Sequence, residues 1–111
     1  MGCPVVHFEI GCRDRARIET FYRRLFDWNI NPMGVVDSSP SGIGGHINAL
    51  GHEPHNYTTF YIEVNDVAAY LEKAGGLGGR TLVGPIEIPN GTFAWMADPE
   101  GSVVGLWKSK R

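Results

Sequence analysis

The stretch PSGIGGHINAL, residues 40–50, sets one histidine, His46, among three glycines. Such a segment suits a phosphate cradle, a metal ligand or a plain loop. A phosphate fingerprint GxGxxG opening at Gly42 needs glycine at position 47, where the chain has Ile47, so the phosphate reading is weak. A second candidate lies in VVHFEI, residues 5–10. There His7 and Glu9 share one strand face with Val5, while Val6, Phe8 and Ile10 share the other. The imidazole is a potential metal donor, and the carboxylate a potential general base. Glu63 is a second carboxylate on strand-like sequence, and His52 and His55 sit in GHEPH, where a solvated loop is the simpler reading. For His7 and His46 the plain alternative is a hydrogen-bonded histidine in a pocket wall.

The totals narrow the setting. A chain of 111 residues with 42% hydrophobic residues supports one core and hence a single domain over 1–111. A net charge of -2 offers no field for gathering nucleic acid or anionic lipid. No apolar run approaches the roughly 20 residues of a membrane span, and no leader pattern opens the chain. MGCPVV lacks the Ser or Thr of a myristoylation signal at Val6. Cys3 and Cys12 form neither a CxxC pair nor a disulfide framework, and they fit a reduced, cytoplasmic setting. Cys12, at a strand end, reads as a small filler.

Elements that must position the candidates follow from periodicity. After the first strand, Asp14 is an N-cap for RARIETFYRRLF, in which Ile18, Phe21, Tyr22 and Leu25 make an apolar stripe and the helix ends near Asp27. Short extended pieces follow around Trp28–Ile30 and Gly34–Val36. TTFYIEV is then a strand, NDVAAYLEKAGG an N-capped helix, and GRTLVGP, TFAWMA and GSVVGLW three more strands, with GHEPHNY and IEIPNG as loops.

This is an internal repeat, a βαβββ unit used twice, with module one at 4–50 and module two at 58–108. Asp14 maps to Asp66 and His7 to Thr59 at an offset of 52; Ser39-Pro40-Ser41-Gly42 maps to Asp98-Pro99-Glu100-Gly101 at 59. On that register GIGGHINA is the last strand of the first module, and His46 corresponds to Gly105. Glycine thins a strand and often marks a close approach by another backbone or a ligand.

Two such modules, with FYRRLFDW at the first helix end, a VNDV turn and ADPEG before GLW, resemble the glyoxalase, bleomycin-resistance and extradiol-dioxygenase superfamily, also called vicinal oxygen chelate. The resemblance runs from about Val5 to Trp107. It implies an α+β fold in which the modules form one curved eight-stranded mixed sheet, a cup, with two helices outside. It also implies up to four metal-ligand positions, which fall here on His7, His46, Thr59 and Gly105. Only the two histidines can hold a divalent metal such as Zn, Ni, Fe or Mn, short of the three protein ligands that a catalytic site usually keeps. Glu9 and Glu63 lie about 7 and 13 Å along their strands from the ligand positions, at roughly 3.3 Å per residue, and are beside those positions rather than at them.

Three functions stay open. In one, the cup holds a small organic molecule with a degenerate or absent metal site, using Thr59, Tyr61, Trp95 and Trp107 as ligand-binding residues. In another, His7 and His46 hold a divalent ion for a lyase, isomerase or dioxygenase reaction, with Glu9 or Glu63 as general base. In the third, the chain is a dimerising or regulatory module, and a homodimer is expected in any case from the resemblance. No hydrolase nucleophile motif and no aromatic-basic stripe is present.

Overall fold

The computed structural model describes residues 2–37, 42–50 and 56–110. Among the described residues there are eight strands of mixed direction and two helices, the α+β class with the βαβββ order used twice. The elements are β1 (Val5–Gly11), α1 (Arg15–Phe26), β2 (Asn29–Ile30), β3 (Val35–Asp37), β4 (Gly44–Asn48), β5 (Tyr57–Glu63), α2 (Val67–Gly76), β6 (Arg80–Ile88), β7 (Gly91–Ala97) and β8 (Val103–Ser109). Contacts gather into two compact units: a first unit, His7–Thr59, and a second comprising the residues up to Val6 and those from Phe60 onward. His7–Gly11 of β1 and Tyr57–Thr59 of β5 therefore belong to the first unit.

In the first unit the strand order is β2-β3-β4-β1, with β1 and β4 parallel and the other neighbours antiparallel. Asp14 caps α1 as expected, its carboxylate accepting from the Arg17 N–H at 3.1 Å, and Asp27 closes the helix in the left-handed region at φ 60°. Cys12, Ile30, Val36 and Ile47 form the core, with Phe8, Ile10, Ile18, Tyr22 and Trp28 packed on it. Cys12 is an inert filler: burial pushes its thiol pKa up, and the neighbouring Asp14 and Glu19 charges add to that.

The helix is rolled relative to the expected stripe. Ile18 and Tyr22 face the core, but Phe21 and Leu25 are 54% and 59% exposed, and the buried residue of α1 is Glu19. Arg15 and Arg23 explain this. Arg15 lies 3.1 Å from the Glu19 carboxylate and donates to the carbonyls of Pro32 and Met33, while Arg23 donates to Ile30. Both arginines thus tie α1 to the β2–β3 region through backbone carbonyls, which turns their side of the helix inward with the aliphatic stems.

In the second unit the order is β5-β8-β7-β6, with β5 and β8 parallel. Asp66 caps α2 through the Ala69 N–H at 3.0 Å, and Val67 and Leu71 pack on Val64, Ala94 and Leu106. The repeat arithmetic is visible in the pairing itself: Glu9 pairs with His46 and Tyr61 with Gly105, offsets of 52 and 59. The glycines of the two matched turns agree as well, with Gly42 at φ 90° and Gly101 at φ 95°. The partners Ser39, Pro40 and Ser41 lie outside the described residues.

IEIPNG is not a loop. Ile86–Ile88 continue β6 against Gly91–Phe93, leaving only Pro89 and Asn90 to turn. The pairing slips around Val83 and resumes at Ile86, where Gly84 at φ 86° and Pro85 interrupt the strand. Proline has no N–H for the ladder, so a bulge absorbs it and the strand resumes beyond.

Candidate functional site

Strand alternation divides each sheet layer by chemistry. In β1, Phe8 and Ile10 turn toward α1 and its core, so His7, Glu9 and Gly11 occupy the face away from the helix. In β4, Ile47 is in the core, which puts His46 and Asn48 on that same outer face. The parallel register pairs His7 with Gly44, Glu9 with His46 and Gly11 with Asn48.

The polar side chains then alternate between the two strands. His7 Nε2 lies 2.6 Å from His46 Nδ1, and the ring centroids are 4.8 Å apart. The other nitrogen of His46, Nε2, lies 3.5 Å from Glu9 Oε2. Asn48 Nδ2 donates to the same Glu9 oxygen at 2.8 Å, and the Tyr57 hydroxyl donates to it at 2.6 Å. Glu9 is only 3% exposed, so these donors replace the water its carboxyl group has lost.

Gly11 makes room for Tyr57: a Cβ at that position would overlap the tyrosine ring. The glycines of the opening stretch have comparable uses. A Cβ at Gly45 would lie 2.6 Å from the Phe8 ring, and one at Gly44 would lie 3.1 Å from the Val36 carbonyl. The thinned strand β4 thus admits a ring on one side and a neighbouring backbone on the other.

Burial lowers the pKa of His7, the facing His46 lowers it further, and the Glu9 charge acts against both. Its imidazole therefore stays neutral to a lower pH than an ordinary histidine, and a neutral imidazole is a base.

Among the described residues, the donors offered to a metal are His7 and His46. His7 Nε2 and His46 Nδ1 face one another at hydrogen-bond distance, and Glu9 stands behind His46 at its other nitrogen. Among the described residues no group of three or more His, Cys, Asp or Glu is placed to hold an ion. His52 and His55 lie outside the described residues.

The remaining candidates fall as follows. Thr59 is buried in the first unit. Tyr61, Trp95 and Trp107 belong to the second unit, on the face away from α2. Tyr61 and Trp95 flank Gly105 from its two neighbouring strands, and the Trp95 indole N–H donates to the Tyr61 hydroxyl at 2.8 Å. A Cβ at Gly105 would overlap the Tyr61 ring, and the Trp107 ring covers Gly91. Glu63 is exposed and lines a groove of the second unit with Cys3, Pro4, Asn65, Tyr70 and Lys108. The residues missed from the sequence are Asn48, Tyr57 and Gly11. Asn48 was legible as the residue two beyond His46 on its face, whereas Tyr57 reads as the end of a polar loop.

The comparison with known proteins fits this arrangement of strands and helices. The family model described as a glyoxalase-like domain matches residues 6–106. The chain belongs to the glyoxalase-like domain family. It is 30% identical over 111 residues to CFP32, a proposed glyoxylase of Mycobacterium bovis, and equally so to its Mycobacterium tuberculosis counterpart. The match takes in 88% of this chain but 42% of CFP32, so the chain spans less than half the length of those relatives. Among solved structures, methylmalonyl-CoA epimerase from Mycobacterium tuberculosis superimposes with a TM-score of 0.71 at 12% identity, covering 96% of this chain and 88% of the epimerase. A glyoxalase/bleomycin resistance protein/dioxygenase superfamily member from Vibrio splendidus gives 0.61 at 14%, covering 98% of this chain and all, 100%, of the other. At these identities both show a shared fold. No described helix of this glyoxalase-like domain is long and apolar enough to cross a membrane.

Proposed function

We propose that this glyoxalase-like domain binds a small organic ligand carrying a carbonyl group and moves a proton on it at the outer face of the first unit, through His7 and His46. The observation that carries this reading is the contact between the two imidazoles, backed by a buried carboxylate. His7 is kept neutral by burial and can accept a proton from carbon beside a carbonyl, and the hydrogen bond at 2.6 Å spreads the charge that results onto His46. Glu9, expected as the general base, acts in this reading behind His46 rather than on the ligand, because its Oε2 is occupied by Tyr57 and Asn48.

The kinship with a methylmalonyl-CoA epimerase fold supports a small acyl or carbonyl ligand. Because the histidine nitrogens address each other and Glu9 addresses the far side of His46, no step of this reading passes through a metal. Thr59 stays a candidate ligand-binding residue of the first unit, and Tyr61, Trp95 and Trp107 stay candidates on the second unit taken by itself, where they offer apolar faces with polar tips. A homodimer is also part of the reading, since β6 exposes Leu82, Val83, Ile86 and Ile88 along an edge strand.

The test is proton exchange followed by NMR in deuterium oxide, using 2-oxo acids, 2-hydroxy ketones and methylmalonyl-CoA as probes. Exchange at the carbon beside the carbonyl should exceed the buffer rate for at least one probe and be lost in His7→Gln. Buffer-level exchange across all three classes would overturn the reading.

A further inference from the structure

Two donors and one histidine nitrogen converge on one oxygen of Glu9, and their arrangement determines more than the position of that carboxyl group. The Tyr57 hydroxyl at 2.6 Å and the Asn48 amide at 2.8 Å both need Oε2 as an acceptor. That use leaves no place for a proton on Oε2 in this geometry. His46 Nε2 faces the same oxygen at 3.5 Å. A bare nitrogen lone pair there would point at an acceptor oxygen, and the two would repel. Nε2 therefore carries hydrogen, and the ring in its single-proton form presents a bare Nδ1 to His7. Two bare nitrogens cannot sit 2.6 Å apart, so His7 Nε2 must be the donor of that hydrogen bond. Each proton position follows from the one before it, and the series begins at Tyr57 and Asn48.

We propose that Tyr57 and Asn48 are positioning residues: by holding Glu9 Oε2 as an acceptor they fix His46 as its Nε2–H tautomer and make His7 the donor to His46. The fold has given both residues fixed seats. Asn48 is paired in register with Gly11, and the absence of a side chain on Gly11 is what lets the Tyr57 ring reach across to Glu9. Tyr57 comes from β5, so a strand outside the β1–β4 pair sets the tautomer within it. This inference deepens the acid–base reading above and rests on it for its use, since the tautomer decides which histidine nitrogen faces which partner.

The experiment reads the tautomers directly, with no ligand. Long-range proton–nitrogen spectra of the full ¹⁵N-labelled chain, taken above the ordinary histidine pKa, distinguish a protonated ring nitrogen from a bare one. The wild-type chain should show His46 with hydrogen on Nε2 and none on Nδ1, and His7 with hydrogen on Nε2. In Tyr57→Phe, which keeps the ring over Gly11, and in Asn48→Ala, the His46 nitrogens should move toward a mixture of the two tautomers. The double variant should move further than either. Circular dichroism and the melting temperature verify that each variant is folded. The proposal is overturned if wild-type His46 carries its hydrogen on Nδ1, a result that needs no variant, or if folded Tyr57→Phe and Asn48→Ala both keep the wild-type nitrogen shifts. Expected tautomers with no proton exchange on any probe would remove the functional reading and leave the positioning roles in place.

Discussion

The two units use matched positions for opposite purposes. Where the first unit pairs Glu9 with His46, the second pairs Tyr61 with Gly105. Where the first has Asn48, the second has Trp107, one step further along the same pair of strands. In one unit the outer face carries a buried carboxyl group with hydrogen-bond donors gathered on it; in the other it carries an aromatic pair closed over a glycine. Both solutions depend on a glycine that admits a tyrosine ring, Gly11 beneath Tyr57 and Gly105 beneath Tyr61. A repeated backbone therefore fixes where side chains stand and leaves their chemistry to local substitution.

The sharpest way to break this contrast is to give the second unit the residue of the first. Gly105→His forces a side chain into the space held by the Tyr61 ring, and overpacking of this kind costs about 3 kcal/mol. Urea unfolding should show that loss together with a changed tryptophan signal from Trp95. An unchanged midpoint would mean that the tyrosine swings aside freely. Glu9→Ala comes next, since it strands the Tyr57 and Asn48 donors in a buried setting, at about 2 kcal/mol. The same denaturation measurement, compared with Glu9→Gln, separates lost acceptor from lost charge; Glu9→Gln should recover part of the loss.

Smaller effects sharpen the comparison. Tyr61→Phe removes the acceptor of the Trp95 indole and should cost about 1 kcal/mol, seen in the unfolding midpoint and in a shift of tryptophan emission. The gentlest test is acidity. Because the pKa of His7 is lowered in the folded chain from 6.5, the unfolded chain binds the proton first as pH falls. Stability from this group is complete above about pH 6.5, declines as pH falls toward the folded pKa, and levels off below it. Melting temperatures across that range should fall less in His7→Gln than in the wild type, whereas Thr59→Val, at the matched position of the other module, should leave the acid slope unchanged.

Much of this was legible in residue order. The caps Asp14 and Asp66 and the offsets of 52 and 59 needed only local rules, because capping and strand alternation act over a few residues. His7, Glu9 and His46 could be named as candidates for the same reason. Their relationship could not. Counting strand rise from His7 set Glu9 about 7 Å away from the ligand position, yet the parallel register brings it opposite His46 and makes it the partner of the second histidine rather than a neighbour of the first. The roll of α1 was hidden likewise, since an apolar count favours Phe21 and Leu25 and cannot foresee that Arg15 and Arg23 would find backbone carbonyls across the β2–β3 region.

By itself the sequence determined the βαβββ order used twice and its helix caps, consequences of short-range periodicity repeated at fixed spacing, while its motifs carried the resemblance to the family. Only the tertiary structure decided that Tyr57 and Asn48 meet on Glu9, because hydrogen bonds between residues 39 and 48 positions apart depend on strand register and on the empty space at Gly11. Neither is written in any one segment of the chain.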